Sequence, residues 1–216
     1  MYPSSRAGRT AFTLIELLIV IAIIAILALI AIPNFLEAQV RSKVSRAKSD
    51  MRILAGAIEA YTIDYNRAPI GNVEARTDYD AFGIPNGPLL FHFLRMATWS
   101  RLTTPVAYLT TVPYDPFGEK LPISTATSAG YNYFTVYNLT NAKMSTCWAY
   151  GYRWGIPSAG PSLAIQGGNN QLIPSVLSGT NTDGGPGGYI YDPSNGTNSW
   201  GLIARTNKGA YERPLQ

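Results

Sequence analysis

Phe12 to Phe35 read FTLIELLIVIAIIAILALIAIPNF, and Glu16 carries the only charge among them. From Leu17 to Pro33, seventeen residues pass without a polar side chain. A bilayer core asks for about 20 apolar residues in a helix, and this stretch meets that length. A carboxylate at the head of such a helix is expensive in hydrocarbon, so it calls for a partner and a purpose. No lysine or arginine follows Glu16 until Arg41, too far along a helix for an ion pair within the chain. The reading is a partner outside the chain, which points to assembly.

Two ordinary readings of the segment compete. A secretory signal has basic residues, an apolar core and a small-x-small cleavage site. Arg6 and Arg9 supply the basic part, but Ala22, Ala25, Ala28 and Ala31 are spaced by three, never by two. A plain signal anchor explains the length and gives no reason for Glu16. Charge leaves orientation open: two basic residues precede the span, and Arg41, Lys43, Arg46, Lys48 and Arg52 follow it. Counted alone, the positive-inside rule would place the C-terminal side in the cytoplasm.

The string Ala11-Phe12-Thr13-Leu14-Ile15-Glu16-Leu17-Leu18 resembles the processing site of type IV pilins and type II secretion pseudopilins. The resemblance covers about the first quarter of the chain. It implies a leader over residues 1–11, cut by a prepilin peptidase between Ala11 and Phe12 on the cytoplasmic face. The new amine of Phe12 would then be N-methylated by the same enzyme. The family prefers glycine before the phenylalanine, and this chain has Ala11, a small side chain that still suits a narrow cleft. The leader would stay cytoplasmic and the body would lie outside, in the periplasm, against the bare charge count. In a filament, the Phe12 ammonium of one subunit would meet Glu16 of a neighbour. Each charge alone is costly in an apolar core, and a pair can set register. Pro33 falls where the family often kinks its helix; lacking an N–H, it should kink or locally melt the turn.

Beyond Pro33, Val40, Val44, Ala47, Met51, Leu54, Ile58, Tyr61 and Tyr65 recur at gaps of four and three, one apolar stripe of a helix. Charged residues fill its other faces. A helix from about Thr13 to Tyr65 would be about 80 Å long at 1.5 Å per residue. The basic cluster on it reads as a solvated helix face rather than a nucleic-acid site. The Ala22–Ala31 series suits either close helix approach or simple filling. The expected division is leader 1–11, membrane or filament-core helix 12–36, amphipathic half 37–66 and a periplasmic head 67–216.

The head changes composition toward Gly, Pro, Asn, Ser, Thr and Tyr. Removing Arg6 and Arg9 with the leader takes the formal net charge from +4 to +2, so no strong polyelectrolyte partner is implied. Candidate strands are Tyr131–Tyr137, Trp148–Trp154, Gly188–Tyr191 and Leu202–Thr206. Pro88–Met96 suits a short helix. Asn86-Gly87, Asp183-Gly184 and Asn195-Gly196 signal turns, and Gly179–Gly188 reads as an exposed loop. The expected fold is α+β: the long helix laid on a small antiparallel sheet, the α/β roll of pilins.

Two head motifs narrow the resemblance. Leu102-Thr103-Thr104-Pro105 leads to Val112-Pro113-Tyr114-Asp115-Pro116-Phe117-Gly118, and Tyr191-Asp192-Pro193-Ser194-Asn195-Gly196-Thr197 comes later. They resemble loops of the major pseudopilins of type II secretion, as Ser158-Ala159-Gly160-Pro161 resembles their Ser-x-Gly-Pro segment. Ordinary Pro/Gly turn chemistry explains each of them alone. Cys147 is the sole cysteine, so the disulfide that staples many type IV pilins cannot form within the chain. Some major pseudopilins hold calcium in the C-terminal loop; here Asp183 and Asp192 are the only carboxylates on offer. Calcium wants six to eight oxygens, so the plain turn is favoured and no cofactor is expected.

No enzyme is expected. His92, the only histidine, sits among Leu90, Phe91, Phe93 and Leu94, a setting for a packed side chain. The glycines at 184–188 lack the strand and helix of a dinucleotide site. Asn138-Leu139-Thr140 and Asn195-Gly196-Thr197 match a glycosylation pattern that the bacterial resemblance makes poor evidence. The resemblance implies a pseudopilus subunit of type II secretion. Its partners would be the peptidase, identical subunits, minor pseudopilins and an inner-membrane assembly platform, with no nucleic acid. Two alternatives stay open: a type IV pilus subunit for adhesion, motility or DNA uptake, and an anchored periplasmic binding domain that never polymerises.

Overall fold

The computed structural model describes residues 12–71, 98–118, 130–136, 142–161, 163, 190–191 and 201–211. The expected helix Pro88–Met96, the turns at Asn86, Asp183 and Asn195, the loop Gly179–Gly188, His92, Ala11, Asp183 and Asp192 lie outside these residues. The chain divides into two compact units, Met1–Gln39 and Val40–Gln216. Helix α1 spans Leu14–Tyr65, and its helical assignment passes through Pro33 without interruption.

In the first unit α1 is apolar on every side, and its large side chains are exposed, from Leu14 at 87% to Leu36 at 54%. Its best 18-residue window has mean hydropathy 3.3 and none of it is buried, so the segment is long and apolar enough to cross a membrane.

In the second unit the expected stripe forms the core. Val44, Ala47, Met51, Leu54, Ile58 and Tyr61 are buried, while at the two ends Val40 is partly buried against the cluster and Tyr65 is exposed. Ala55 and Ala57 widen it. The helix ends because Asn66 adopts φ 53°, the left-handed conformation that closes a helix and that asparagine tolerates best after glycine.

Four short strands form one antiparallel sheet in the order β1 (Phe134–Thr135), β2 (Trp154–Ser158), β3 (Ile203–Thr206), β4 (Gly209–Tyr211). Phe134 pairs with Gly155, Ile156 with Arg205, Ser158 with Ile203, and Ala204 with Tyr211. Side chains of a strand alternate between faces. Trp154, Ile156 and Ile203 therefore share one face, and all three belong to the cluster built on α1. Helix plus small antiparallel sheet is the α+β arrangement expected.

One strand expectation is corrected, and half of another, Gly188–Tyr191, lies outside the described residues. The stretch Trp148–Trp154 is not a strand. Helix α2 spans Ala142–Ala149, and β2 begins only at Trp154. Gly151 at φ 79° ends α2: its N–H donates to the Trp148 carbonyl and Tyr152 N–H to Cys147, both at 2.9 Å, the glycine-capped pattern of a helix C-terminus. Of Gly188–Tyr191, the described residues 190–191 make a single parallel bridge, Ile190 to Leu202. Strand β2 runs on through Pro157, whose carbonyl accepts from Asn132 N–H. The missing proline donor faces that same β1 side, past the end of β1, so the β3 ladder loses nothing.

Candidate functional site

At the head of α1, Thr13 and Glu16 hold each other. Thr13 N–H donates to Glu16 Oε2 at 2.8 Å and the Thr13 hydroxyl donates to the same oxygen at 2.7 Å. Glu16 N–H in turn donates to Thr13 Oγ1 at 3.3 Å. This is a reciprocal capping box, Thr-x-x-Glu, which satisfies two orphan donors of the first turn. Glu16 thus has hydrogen-bond partners within the chain, and the counter-charge expected from outside it is a separate matter. Glu16 has two neutral donors one turn back, and no cation pairs with it among the described residues. The signal for the capping box in the sequence is the Thr-x-x-Glu spacing of Thr13-Leu14-Ile15-Glu16. The arrangement leaves Glu16 exposed and its charge unneutralised, beside Phe12, which is 74% exposed.

The head motifs meet. Asp115, 1% exposed, accepts Phe117 N–H at 3.0 Å and the Ser158 hydroxyl at 2.8 Å on Oδ1, and Ala159 N–H at 3.1 Å on Oδ2. The Asp-Pro-Phe-Gly loop is thus pinned to the Ser-Ala-Gly-Pro segment, forty-three residues along the chain. Burial pushes the Asp115 carboxyl above the usual range, while the three donors pull the other way. Gly160 takes φ 68°, and a Cβ there would overlap the Gly201 carbonyl oxygen, so this turn needs glycine twice over.

Tyr131 connects this region to α1. Its hydroxyl donates to Asp50 Oδ2 at 3.0 Å, and Asp50 also lies 3.8 Å from Arg46 Nε. Burial first, then the nearby carboxylates of Asp115 and Asp50, hold the Tyr131 phenol far above its usual range, so it stays a donor. Trp99 Nε1 donates to the Tyr131 carbonyl at 3.0 Å, and Tyr133 donates to the Pro69 carbonyl at 3.1 Å. Tyr108 donates to Asp64 at the other end of the amphipathic half, which raises its phenol to about 12. Sequence reasoning named Asp115 only as part of a loop and missed Asp50 and Tyr131 as a pair. Nothing local marks two residues eighty-one positions apart as partners.

Among the described residues, no group of three or more His, Cys, Asp or Glu side chains could hold a metal ion. Cys147 is buried, and burial raises its thiol to about 11. The donors around Asp115 are saturated by the protein itself, so this is a structural hub.

Residues 6–32 match the family described as the prokaryotic N-terminal methylation motif. No curated protein and no solved structure matches the chain. The match spans Arg6 to Ile32 and so takes in Ala11, Phe12, Glu16 and most of the apolar helix. The chain therefore carries a prepilin-type N-terminus: a motif processed by a prepilin peptidase, on a helix apolar enough to enter a membrane.

Proposed function

We propose that this protein is a structural subunit of a type II secretion pseudopilus. The peptidase cuts between Ala11 and Phe12 and methylates Phe12. The subunit then leaves the inner membrane and stacks with identical copies into a periplasmic filament that drives protein export. The observation that carries the reading is the position of Glu16. It stands in the first turn of a helix that carries no other charge before Glu37, within the methylation motif, exposed and held by the neutral donors of Thr13. A neighbouring Phe12 ammonium supplies the missing opposite charge. Pairing two costly charges removes an expense that neither could escape alone in hydrocarbon.

Two features favour the secretion system over a type IV pilus. The single cysteine rules out an intrachain disulfide staple. In its place, buried Asp115 ties two loops that resemble those of major pseudopilins.

The test is intact and N-terminal peptide mass spectrometry on protein from its native membrane. The expected product starts at Phe12 and carries one extra methyl on its amine. A chain still starting at Met1 or Tyr2 would overturn processing and leave the anchored, non-polymerising domain as the better reading.

A further inference from the structure

Two turns of the head hold each other: the one that follows α2, Tyr150 to Arg153, and the one that joins β3 to β4, Asn207 and Lys208. Arg153 N–H donates to Asn207 Oδ1 at 2.8 Å, and Asn207 Nδ2 donates to the Gly151 carbonyl at 3.0 Å. Arg153 Nη1 donates to the carbonyls of Trp148 at 3.0 Å and Tyr152 at 3.1 Å. These bonds lay the guanidinium flat on an aromatic face, its carbon 3.6 Å from the centre of the Trp148 ring. Lys208 Nζ stands 4.9 Å from the centre of the Tyr152 ring. Ring faces attract cations and hold them without an ion pair. Gly151, at φ 79°, leaves room for the lysine stem: a Cβ there would stand 3.3 Å from Lys208 Cε.

The two cations are fixed but not neutralised. Neither meets a carboxylate among the described residues. The segments that build the patch explain why: Lys120 to Thr182 and Pro193 to Tyr211 contain no Asp or Glu. Arg153 spends Nη1 on the backbone, and its Nε–Nη2 edge makes no hydrogen bond among the described residues. That edge offers two parallel N–H groups, the geometry that takes both oxygens of a carboxylate. The same turn carries Tyr150, 56% exposed. A phenol ring has an electron-rich face, on which the C–H groups of a sugar ring can lie. A nucleic acid would need open rings to stack its bases. Trp148 and Tyr152 are partly buried, and each already carries a cation on one face. An acidic peptide would use the cations and leave Tyr150 without a role.

We infer that this patch binds a carboxylated polysaccharide, a polymer of uronic acids. Arg153 and Lys208 take carboxylates, and Tyr150 takes the face of a sugar ring. The attraction is local, in keeping with the low net charge of the chain. A single head carries the whole patch, so the inference stands apart from filament assembly.

The test titrates a fluorescein-labelled oligogalacturonate with the full-length protein in neutral detergent, followed by fluorescence anisotropy. Binding is expected at low salt and weakens as salt screens the charges. Lys208→Gln, an exposed change, weakens it about tenfold, the loss of one charge-assisted contact. Tyr150→Ala also weakens it, and both variants keep the parent's denaturant midpoint. The methyl-esterified oligomer, the same sugars without their charges, does not compete. No binding by the parent, or equal binding by Lys208→Gln, would overturn the site. Unchanged binding by Tyr150→Ala would overturn the sugar contact. Oligoglutamate or single-stranded oligothymidylate of equal charge competing as well as the uronate would do the same and leave an unselective anion patch.

Discussion

Asp115 shows how much one side chain can organise. Its two oxygens serve three donors from two segments, and the residue is almost wholly removed from water. Replacing it with alanine strands the Ser158 hydroxyl and the N–H groups of Phe117 and Ala159. The expected cost of Asp115→Ala is about 3 kcal/mol or more, read from denaturant unfolding of the full chain in detergent. The pH dependence follows from burial raising the folded-state pKa. Between the ordinary aspartate value, about 3.9, and the raised one, the folded state binds more protons than the unfolded state. This group's contribution to stability is therefore largest below that window and declines as pH rises through it. Asp115→Asn cannot titrate, so the difference in unfolding midpoint between it and the parent should change across the window and level off above it. A difference flat with pH would mean that Asp115 titrates normally. The Asp115 contacts were not legible in the sequence. Asp115-Pro116-Phe117-Gly118 reads as a turn, and only the fold brings Ser158 to it.

The second half of α1 is the element read best from sequence, because its 3.5-residue period continues for more than three turns and every turn agrees. Six of the eight stripe positions are buried, and the other two are its ends. The contrast between its faces makes a prediction. Ile58→Ala removes a fully buried side chain and should cost about 2–5 kcal/mol. Ile53→Ala, on the open face, should change the unfolding free energy of the monomer by less than about 0.5 kcal/mol. Equal losses would show that Ile53 is covered within the chain. The sheet was read less well, for identifiable reasons. Trp148, Tyr150, Tyr152 and Trp154 alternate as a strand would, yet Gly151 is a helix-ending glycine, and α2 claims Trp148 and Ala149 at the start of that run. Strand β4 has three residues, one of them Gly209, too few to show a period. Short strands owe their existence to the neighbours they pair with, and a single sequence does not reveal those neighbours.

For the whole molecule, the decisive property is that one helix serves two solvents. Its first unit is apolar on all sides, and its second presents a buried stripe beneath a charged surface. Glu16 is legible at once as an anomaly in an apolar run; its Thr13 partner is just as legible as a capping box and shows how the carboxylate is held within the chain. Glu16→Ala should leave membrane insertion and head folding unchanged, since it removes a charge from the apolar segment. It should abolish filaments seen by electron microscopy, since it removes the charge that a neighbour's amine would meet. Filaments at parental abundance would show that this carboxylate does not recruit subunits.

The buried sulfur of Cys147 also acts as a clock. It is the only thiol in the chain, it has no exposed surface, and its raised pKa leaves about a hundredth of the thiolate that an ordinary cysteine would show near neutral pH. A thiol reagent reaches it only when the protein around Cys147 opens. The labelling rate therefore measures how often that opening occurs, set against global unfolding. The protein carries a built-in reporter of its own breathing, readable in the full chain without introducing another cysteine.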